Sequence, residues 1–209
     1  MPIRCIGMEA GWRMGLNTFQ RLGLTNRVVL AGWKKDTEFK YARIEKYLQS
    51  GDHVLDVGSG FGLMGRLLQS KGFAATSCDV VDSSASSGQT PDIFDGSRLP
   101  YQNSEFSVAL LLTVLHHTKQ PEQILRETRR VADRVIVIED VYEGQLQRWL
   151  THRADSLFNL EFDGHPHNNR THQDWLDTFQ NLGFQVYGTR SDRFLGLFRQ
   201  CTYALRRCD

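Results

Sequence analysis

The stretch Val54-Leu55-Asp56-Val57-Gly58-Ser59-Gly60-Phe61-Gly62, followed by Leu63, Met64, Leu67 and Leu68, decides the fold. A short β-branched run carries a carboxylate, three glycines fall at alternate positions, and an apolar set at helical spacing begins. That order reads as strand, tight turn, helix. Glycines let the backbone turn sharply and approach a ligand with no Cβ in the way. The first turn of the helix offers N–H groups that have no partner within the helix.

Three readings of this turn compete. A dinucleotide site wants G-x-G-x-x-G with the pyrophosphate at the helix N-terminus. Here the third glycine comes one residue early, at Gly62, and Leu63 takes the dinucleotide position. Asp56, two residues before the first glycine, is also a poor neighbour for a pyrophosphate and suits a ligand with an ammonium group. The plainest reading is a strand–helix turn that needs glycine only for packing.

These residues resemble the nucleotide-binding loop of class I S-adenosylmethionine-dependent methyltransferases, and downstream matches extend the resemblance from about Asp36 to Arg206. It implies S-adenosylmethionine as cofactor, with Asp56, Gly58, Ser59, Gly60 and Gly62 at its methionine end. It also implies an α/β fold, a doubly wound, mostly parallel seven-stranded sheet with an antiparallel last strand. A second strand, about Phe73 to Asp79, ends in the acid that grips the ribose hydroxyls in the family. A carboxylate accepts two such bonds. Asp79 matches, Asp82 is a rival further into the loop, and Val80 is expected against the adenine. Asp95-Gly96-Ser97-Arg98-Leu99-Pro100 resembles the family's acid-x-x-x-Leu-Pro segment, which assigns Asp95 to the adenine amino group and Gly96 to backbone contacts beside it.

The family's usual helix between strands two and three is replaced by Ser83-Ser84-Ala85-Ser86-Ser87-Gly88-Gln89-Thr90, too polar and short to bury a face. A third strand at about Asp92 to Phe94 and a fourth from Ser107 to Leu112 follow. The near-continuous apolar run of the fourth suits burial on both faces. Thr113, grouped with the cofactor residues, opens Thr113-Val114-Leu115-His116-His117-Thr118 at that strand's carboxyl end, where doubly wound sheets bind ligands. Leu-His-His resembles the small-molecule members of the family. DNA amino-methyltransferases carry an Asp/Asn-Pro-Pro-aromatic segment there, which is absent. Adjacent histidines point apart and lack a third ligand at suitable spacing, so no metal is expected. One histidine supports the loop and the other meets ligand or solvent. His116 and His117 are the candidate general bases for a hydroxyl acceptor, with the lean to His117.

A helix from Pro121 to about Ala132 leads to a fifth strand, Val135 to Ile138, that ends in Glu139-Asp140 on the ligand edge. Asp140 is read as able to orient one histidine. Residues 141–170 form an insert expected over the mouth of the site, with Asp140, Trp149, His165, His167 and Arg170 as substrate candidates. Thr171-x-x-Asp174 resembles a capping box that opens a helix to Leu182, stopped by Gly183. Phe184 to Thr189 and about Leu197 to Leu205 read as closing strands. Upstream, residues 8–23 place Trp12, Leu16, Phe19 and Leu22 near helical spacing, as a lid or a packing helix. Trp33-Lys34-Lys35 leads into a helix from about Asp36 to Gln49 with Tyr41, Ile44 and Leu48 inward.

A length of 209 residues fits one such domain, 1–209, with residues 1–35 as a helical extension. Lys and Arg total 25 against 24 Asp and Glu, with no basic run that marks a nucleic-acid partner. No apolar run is long enough to span a bilayer, and the N-terminus lacks a signal-peptide core. Cys5, Cys78, Cys201 and Cys208 are scattered, as reduced cysteines of a cytoplasmic protein are. The expected function is methyl transfer from S-adenosylmethionine to a small-molecule acceptor. The alternatives are a nicotinamide-dependent oxidoreductase, or a catalytically silent S-adenosylmethionine-binding domain that works through a partner.

Overall fold

A computed structural model describes residues 25–84, 90–142, 168–194 and 198–208. Its centre is a seven-stranded sheet in the order β3-β2-β1-β4-β5-β7-β6. The strands are β1 (His53–Val57), β2 (Ala74–Asp79), β3 (Asp92–Ile93), β4 (Phe106–Leu112), β5 (Ala132–Val141), β6 (Phe184–Phe194) and β7 (Phe198–Arg207). β7 alone runs against its neighbours, β5 and β6; every other pairing is parallel. This is the doubly wound, mostly parallel arrangement with an antiparallel last strand that the sequence implied.

Helices cover both faces. On one lie α1 (Thr25–Ile44) and α2 (Leu63–Ser70), which bury Ile44, Met64 and Leu68 against Val54, Val108, Leu110, Ile136 and Ile138. On the other lie α3 (Pro121–Val131) and α4 (His172–Asn181), which bury Ile124, Leu125, Trp175 and Phe179 against Leu55, Leu111, Val137 and Tyr203. β4 is apolar on both faces because both are covered, as parallel sheets require. α4 opens with the full capping box: Thr171 Oγ1 accepts from Asp174 N–H, and Asp174 accepts from Thr171 N–H. It ends before Gly183, whose φ of 74° is the left-handed stop.

Four elements differ from expectation. α1 begins at Thr25 rather than Asp36 and ends at Ile44, after which Glu45–Tyr47 tighten into a 3-10 turn. Trp33 to Lys35 therefore lie inside the helix, because no proline breaks the chain there and Gly32 alone does not. β5 starts directly at the end of α3 and runs on to Val141, so Glu139 and Asp140 are strand residues with alternating faces. β6 and β7 are longer than read, and their hairpin extends past Val141, which pairs with Arg199. Ser83, Ser84 and Thr90 are in no helix or strand, while Ala85–Gln89, residues 1–24 and the insert residues 143–167 fall outside the described residues.

Trp175 is fully buried, with its ring 5.7 Å from Phe179, and Phe179 is 5.1 Å from Tyr203. Replacing a buried large aromatic by alanine removes its transfer energy and leaves a cavity. Trp175→Ala is expected to lower the stability by about 3–5 kcal/mol, read by urea unfolding. A loss below about 1 kcal/mol would mean α4 does not seal this face.

Candidate functional site

The glycine turn packs against the segment that follows β4. Gly58 N–H and Ser59 N–H both donate to Cys78 O, at 2.8 and 3.2 Å, which ties the turn to the end of β2. Gly58 has φ 71°, and a Cβ there would stand 2.7 Å from Val114 Cγ2. Only glycine fits, since both the backbone and the space forbid a side chain. Gly60 and Gly62 also take positive φ, but with open space around them. That space faces the edge where β1, β2 and β4 end.

Two carboxylates frame it. Asp79, at the end of β2, accepts from Gly60 N–H through Oδ2 and from Val80 N–H through Oδ1, each at 2.7 Å. It holds the glycine turn in shape and keeps lone pairs for further donors, because a carboxylate has about four acceptor sites. Burial raises its pKa, while the Gly60 and Val80 bonds pull it back. The rival Asp82 instead accepts through Oδ1 from the N–H and the hydroxyl of Ser84 and serves its own loop. Asp56 is 3 % exposed, and its Oδ2 has no hydrogen-bond partner among the described residues. Burial pushes its pKa up to about 7; Asp79 adds to the rise, and Lys40 and the Gly65 N–H oppose it. A buried acceptor with nothing to accept is costly, and a cationic donor would remove the cost.

The third side is the 95–101 loop. Asp95 Oδ1 accepts from the Ser97 and Arg98 N–H groups and the Ser97 hydroxyl, and these bonds, Arg98 first, hold its carboxyl down to about 2. The loop is anchored to α3: Glu127 accepts from Leu99 N–H, and Arg130 donates to Leu99 O and Tyr101 O. A Cβ on Gly96 would lie 3.4 Å from Val80 Cγ1, so Val80, Gly96 and Asp95 share one wall. Val80 is 43 % exposed, the apolar surface expected to meet an adenine.

The fourth side is the turn after β4. Thr113 sits at φ 63°, a rare backbone for a β-branched residue, and such strain clusters at functional sites. Leu115–His117 form a 3-10 turn. His116 is buried, and its Nδ1 lies 2.5 Å from Glu139 Oε2. Glu139 Oε1 accepts from the Val114 and Leu115 N–H groups at 2.9 and 2.7 Å. Glu139, not Asp140, therefore orients a histidine. Asp140 points to the opposite face, where it accepts from Gln200 Nε2 at 3.0 Å. The rings of His116 and His117 lie 4.0 Å apart rather than pointing away from each other. His117 is half-buried and nearer the surface.

Arg170 is committed elsewhere. It bonds Glu122 and Thr178 and lies 4.9 Å over the Trp175 ring, so it clamps the return from the insert onto α3 and α4. Trp149, His165 and His167 lie outside the described residues. No three or more His, Cys, Asp or Glu among the described residues could hold a metal ion.

The site also contains residues the sequence reading missed. Lys40 of α1 donates to Thr113 Oγ1 at 3.0 Å, across 73 positions, and pairs with Asp36 at 2.9 Å. Trp33 packs edge-on against Phe61 of the glycine turn at 5.5 Å. Arg43 is 1 % exposed and bonds Thr202 and Gln200. Helical spacing puts Trp33, Lys40 and Arg43 near one side of a long helix, but a helix begun at Asp36 leaves out Trp33, and spacing does not reveal the distant partners of Lys40 and Arg43.

Asp56 gives this site a pH signature. Between its ordinary 3.8 and about 7 the folded protein keeps a proton that the unfolded chain has released. Fewer protons on the unfolded state mean that stability falls as pH rises through that window and levels off above it. Asp56→Asn is expected to flatten this fall in the unliganded protein, measured as urea midpoints from pH 4.5 to 8. An unchanged slope would mean Asp56 titrates normally.

Three comparisons bear on this arrangement. No curated protein matches the chain. Among solved structures it resembles an S-adenosylmethionine-dependent methyltransferase from Methanosarcina mazei (17 % identity, TM-score 0.62, 81 % of this chain and 99 % of that one). It also resembles the magnesium protoporphyrin IX methyltransferase of Synechocystis PCC 6803, solved with S-adenosylhomocysteine bound (16 % identity, TM-score 0.62, 92 % and 94 %). A third is the geranyl diphosphate C-methyltransferase of Streptomyces coelicolor A3(2), solved with Mg2+, geranyl diphosphate and S-adenosyl-L-homocysteine (12 % identity, TM-score 0.64, 86 % and 82 %). A family model described as a methyltransferase domain matches residues 35–189, more than half of the chain and every wall of the site. The protein belongs to the methyltransferase-domain family.

Proposed function

We propose that the protein transfers a methyl group from S-adenosylmethionine to a small-molecule acceptor. The observation that carries this reading is the pair of carboxylates flanking the glycine turn, Asp56 buried with its Oδ2 lacking a donor among the described residues, and Asp79 half-buried and shaping the loop. The family match and the neighbours that act on magnesium protoporphyrin IX and geranyl diphosphate support it. A nicotinamide dinucleotide, by contrast, would bring a pyrophosphate to Asp56.

The residues fit the cofactor's parts. Asp56 suits the ammonium of the methionine end, Gly58 to Gly62 let the backbone approach, and Thr113 closes the far side. Asp79 suits the ribose hydroxyls, and Val80, Asp95 and Gly96 the adenine. The bound sulfonium supplies a methyl group already activated by positive charge. The protein's part is then to align the acceptor and exclude water. The chain works as one domain in the cytoplasm.

A hydroxyl acceptor must lose a proton, and a sulfur or carbanion acceptor need not. His117 is the group for that task. His116 is engaged by Glu139 and serves the turn.

S-adenosylhomocysteine is expected to bind in calorimetry and to raise the melting temperature by linkage, whereas NAD does neither. Asp79→Ala should weaken that binding by about 1.5–3 kcal/mol, the range for hydrogen bonds to a charged group. Binding of NAD and not of S-adenosylhomocysteine would overturn the assignment. Turnover is to be sought with labelled methyl donor against a metabolite pool.

The histidines should separate once an acceptor is known. His116→Ala is expected to destabilise the protein, because Glu139 is left buried with one partner fewer. His117→Ala should leave the melting temperature near wild type and, for a hydroxyl acceptor, lower turnover and flatten its pH profile. An unchanged profile in His117→Ala means alignment alone carries the catalysis.

A further inference from the structure

Asn169 carries a buried amide with nothing to bond. The residue is 7 % exposed, and neither its Nδ2 nor its Oδ1 has a hydrogen-bond partner among the described residues. Its neighbours are engaged. Asn168 donates from its backbone to His116 O and from its side chain to Thr118 O, and Arg170 bonds Glu122 and Thr178. The chain is thus fixed on both sides of Asn169, and the amide cannot swing out to find water. Two unpaired polar atoms at that depth are costly and need a reason.

The sheet shows where the amide stands. Arg170 pairs in parallel with Val141 of β5. The other side of Val141 is taken by Arg199 of β7, so Arg170 lies on the side of β4. β4 ends at Leu112, beside Ile138, and the chain leaves the sheet at the strained Thr113. Residues 168–170 therefore occupy the line that β4 vacates. Val141 belongs to the core under α3 and α4, and Arg170 shares that face, where it meets Glu122 and Trp175. By alternation Asn169 faces the other way, as Asp140 does and as Val54 and Asp56 do on β1. The amide thus stands over the end of β4 on the same face as Asp56, at the edge where a ligand enters.

We propose that the Asn169 carboxamide binds the methyl acceptor, through an uncharged group that presents a donor and an acceptor side by side, as a carboxamide or a lactam does. This rests on the methyl-transfer reading given above. Nδ2 needs an acceptor and Oδ1 needs a donor. A carboxylate would satisfy only the first and an ammonium only the second, and each would leave one buried atom bare. An amide edge satisfies both in one bidentate pair. A site whose buried polar atoms are paired only by the right substrate rejects analogues that lack the matching group.

The test uses the protein loaded with S-adenosylhomocysteine and three probes of similar shape: benzamide, benzoate and benzylamine. Each is titrated by saturation-transfer NMR at neutral pH, where the second is an anion and the third a cation. Wild type is expected to bind benzamide roughly 10-fold more tightly than either charged probe. Asn169→Leu keeps the size and removes the amide, so that preference should vanish while S-adenosylhomocysteine affinity is unchanged. The unliganded Leu variant should also melt about 2–4 °C higher, because a bare buried amide is gone. Asn169→Ser should lose the preference as well, which guards against a Leu variant that fails to fold. No benzamide preference in wild type, or one that survives both substitutions, would overturn the proposal. A lower melting temperature in Asn169→Leu would overturn it too, since the amide would then have partners within the protein. Failure of wild type to bind S-adenosylhomocysteine would instead sink the cofactor assignment, and this proposal with it.

Discussion

Glu139 is the interaction on which the site depends. It is fully buried, and its two oxygens hold three donors on one turn: the N–H groups of Val114 and Leu115 and the ring of His116. Buried polar networks of this kind are costly when half-satisfied and specific when complete. This one is complete along the turn that abuts Gly58. β5 therefore dictates, through one carboxylate, where the end of β4 lies, and the end of β4 dictates how close the glycine turn can come. The fold supplies the strand order, and Glu139 sets the gap between the first and fourth strands at the edge where a ligand enters.

The charges on that edge are arranged by strand alternation. In β5, Val135, Val137, Glu139 and Val141 face α3 and α4, while Ile136, Ile138 and Asp140 face α1 and α2. Neighbouring acids in sequence thus serve opposite faces. Asp140 joins Gln200, and Gln200 takes Arg43, whose guanidinium also pairs with Asp192. Burial lowers the pKa of Arg43, and Asp192 counters that. The β6–β7 hairpin, β5 and α1 are joined by this polar chain, so α1 is anchored to the last two strands while it reaches across to the first.

Much of this was legible in the sequence. The strand–turn–helix at Val54 to Leu68, the buried β4 and the capping box at Thr171 follow from local pattern, and the mostly parallel seven-stranded sheet was implied by the family resemblance. The grouping of Asp56, Asp79 and Asp95 came from that resemblance, and the topology brings the ends of β1, β2 and β3 to one edge. What local pattern could not supply was facing. Choosing between Asp140 and Glu139 needed the alternation of β5, which the sequence reading ended at Ile138, whereas the strand runs on to Val141. Arg170 looked like a ligand for want of its partners Glu122 and Thr178, which are 48 and 8 positions away. Lys40 was invisible for the same reason: its partner is 73 residues distant, and spacing carries no information at that range.

Thr113 has an evolutionary corollary. Its left-handed backbone costs of order 1–3 kcal/mol in a non-glycine residue. Glycine would relieve that cost outright, so drift towards stability alone would favour it. Glycine, however, has no hydroxyl to receive Lys40. The position is thereby caught between two demands, a backbone that asks for the smallest residue and a neighbour that asks for an oxygen. Asparagine and aspartate, which tolerate that conformation and carry oxygen, are the substitutions that relatives of this chain could explore without giving up either.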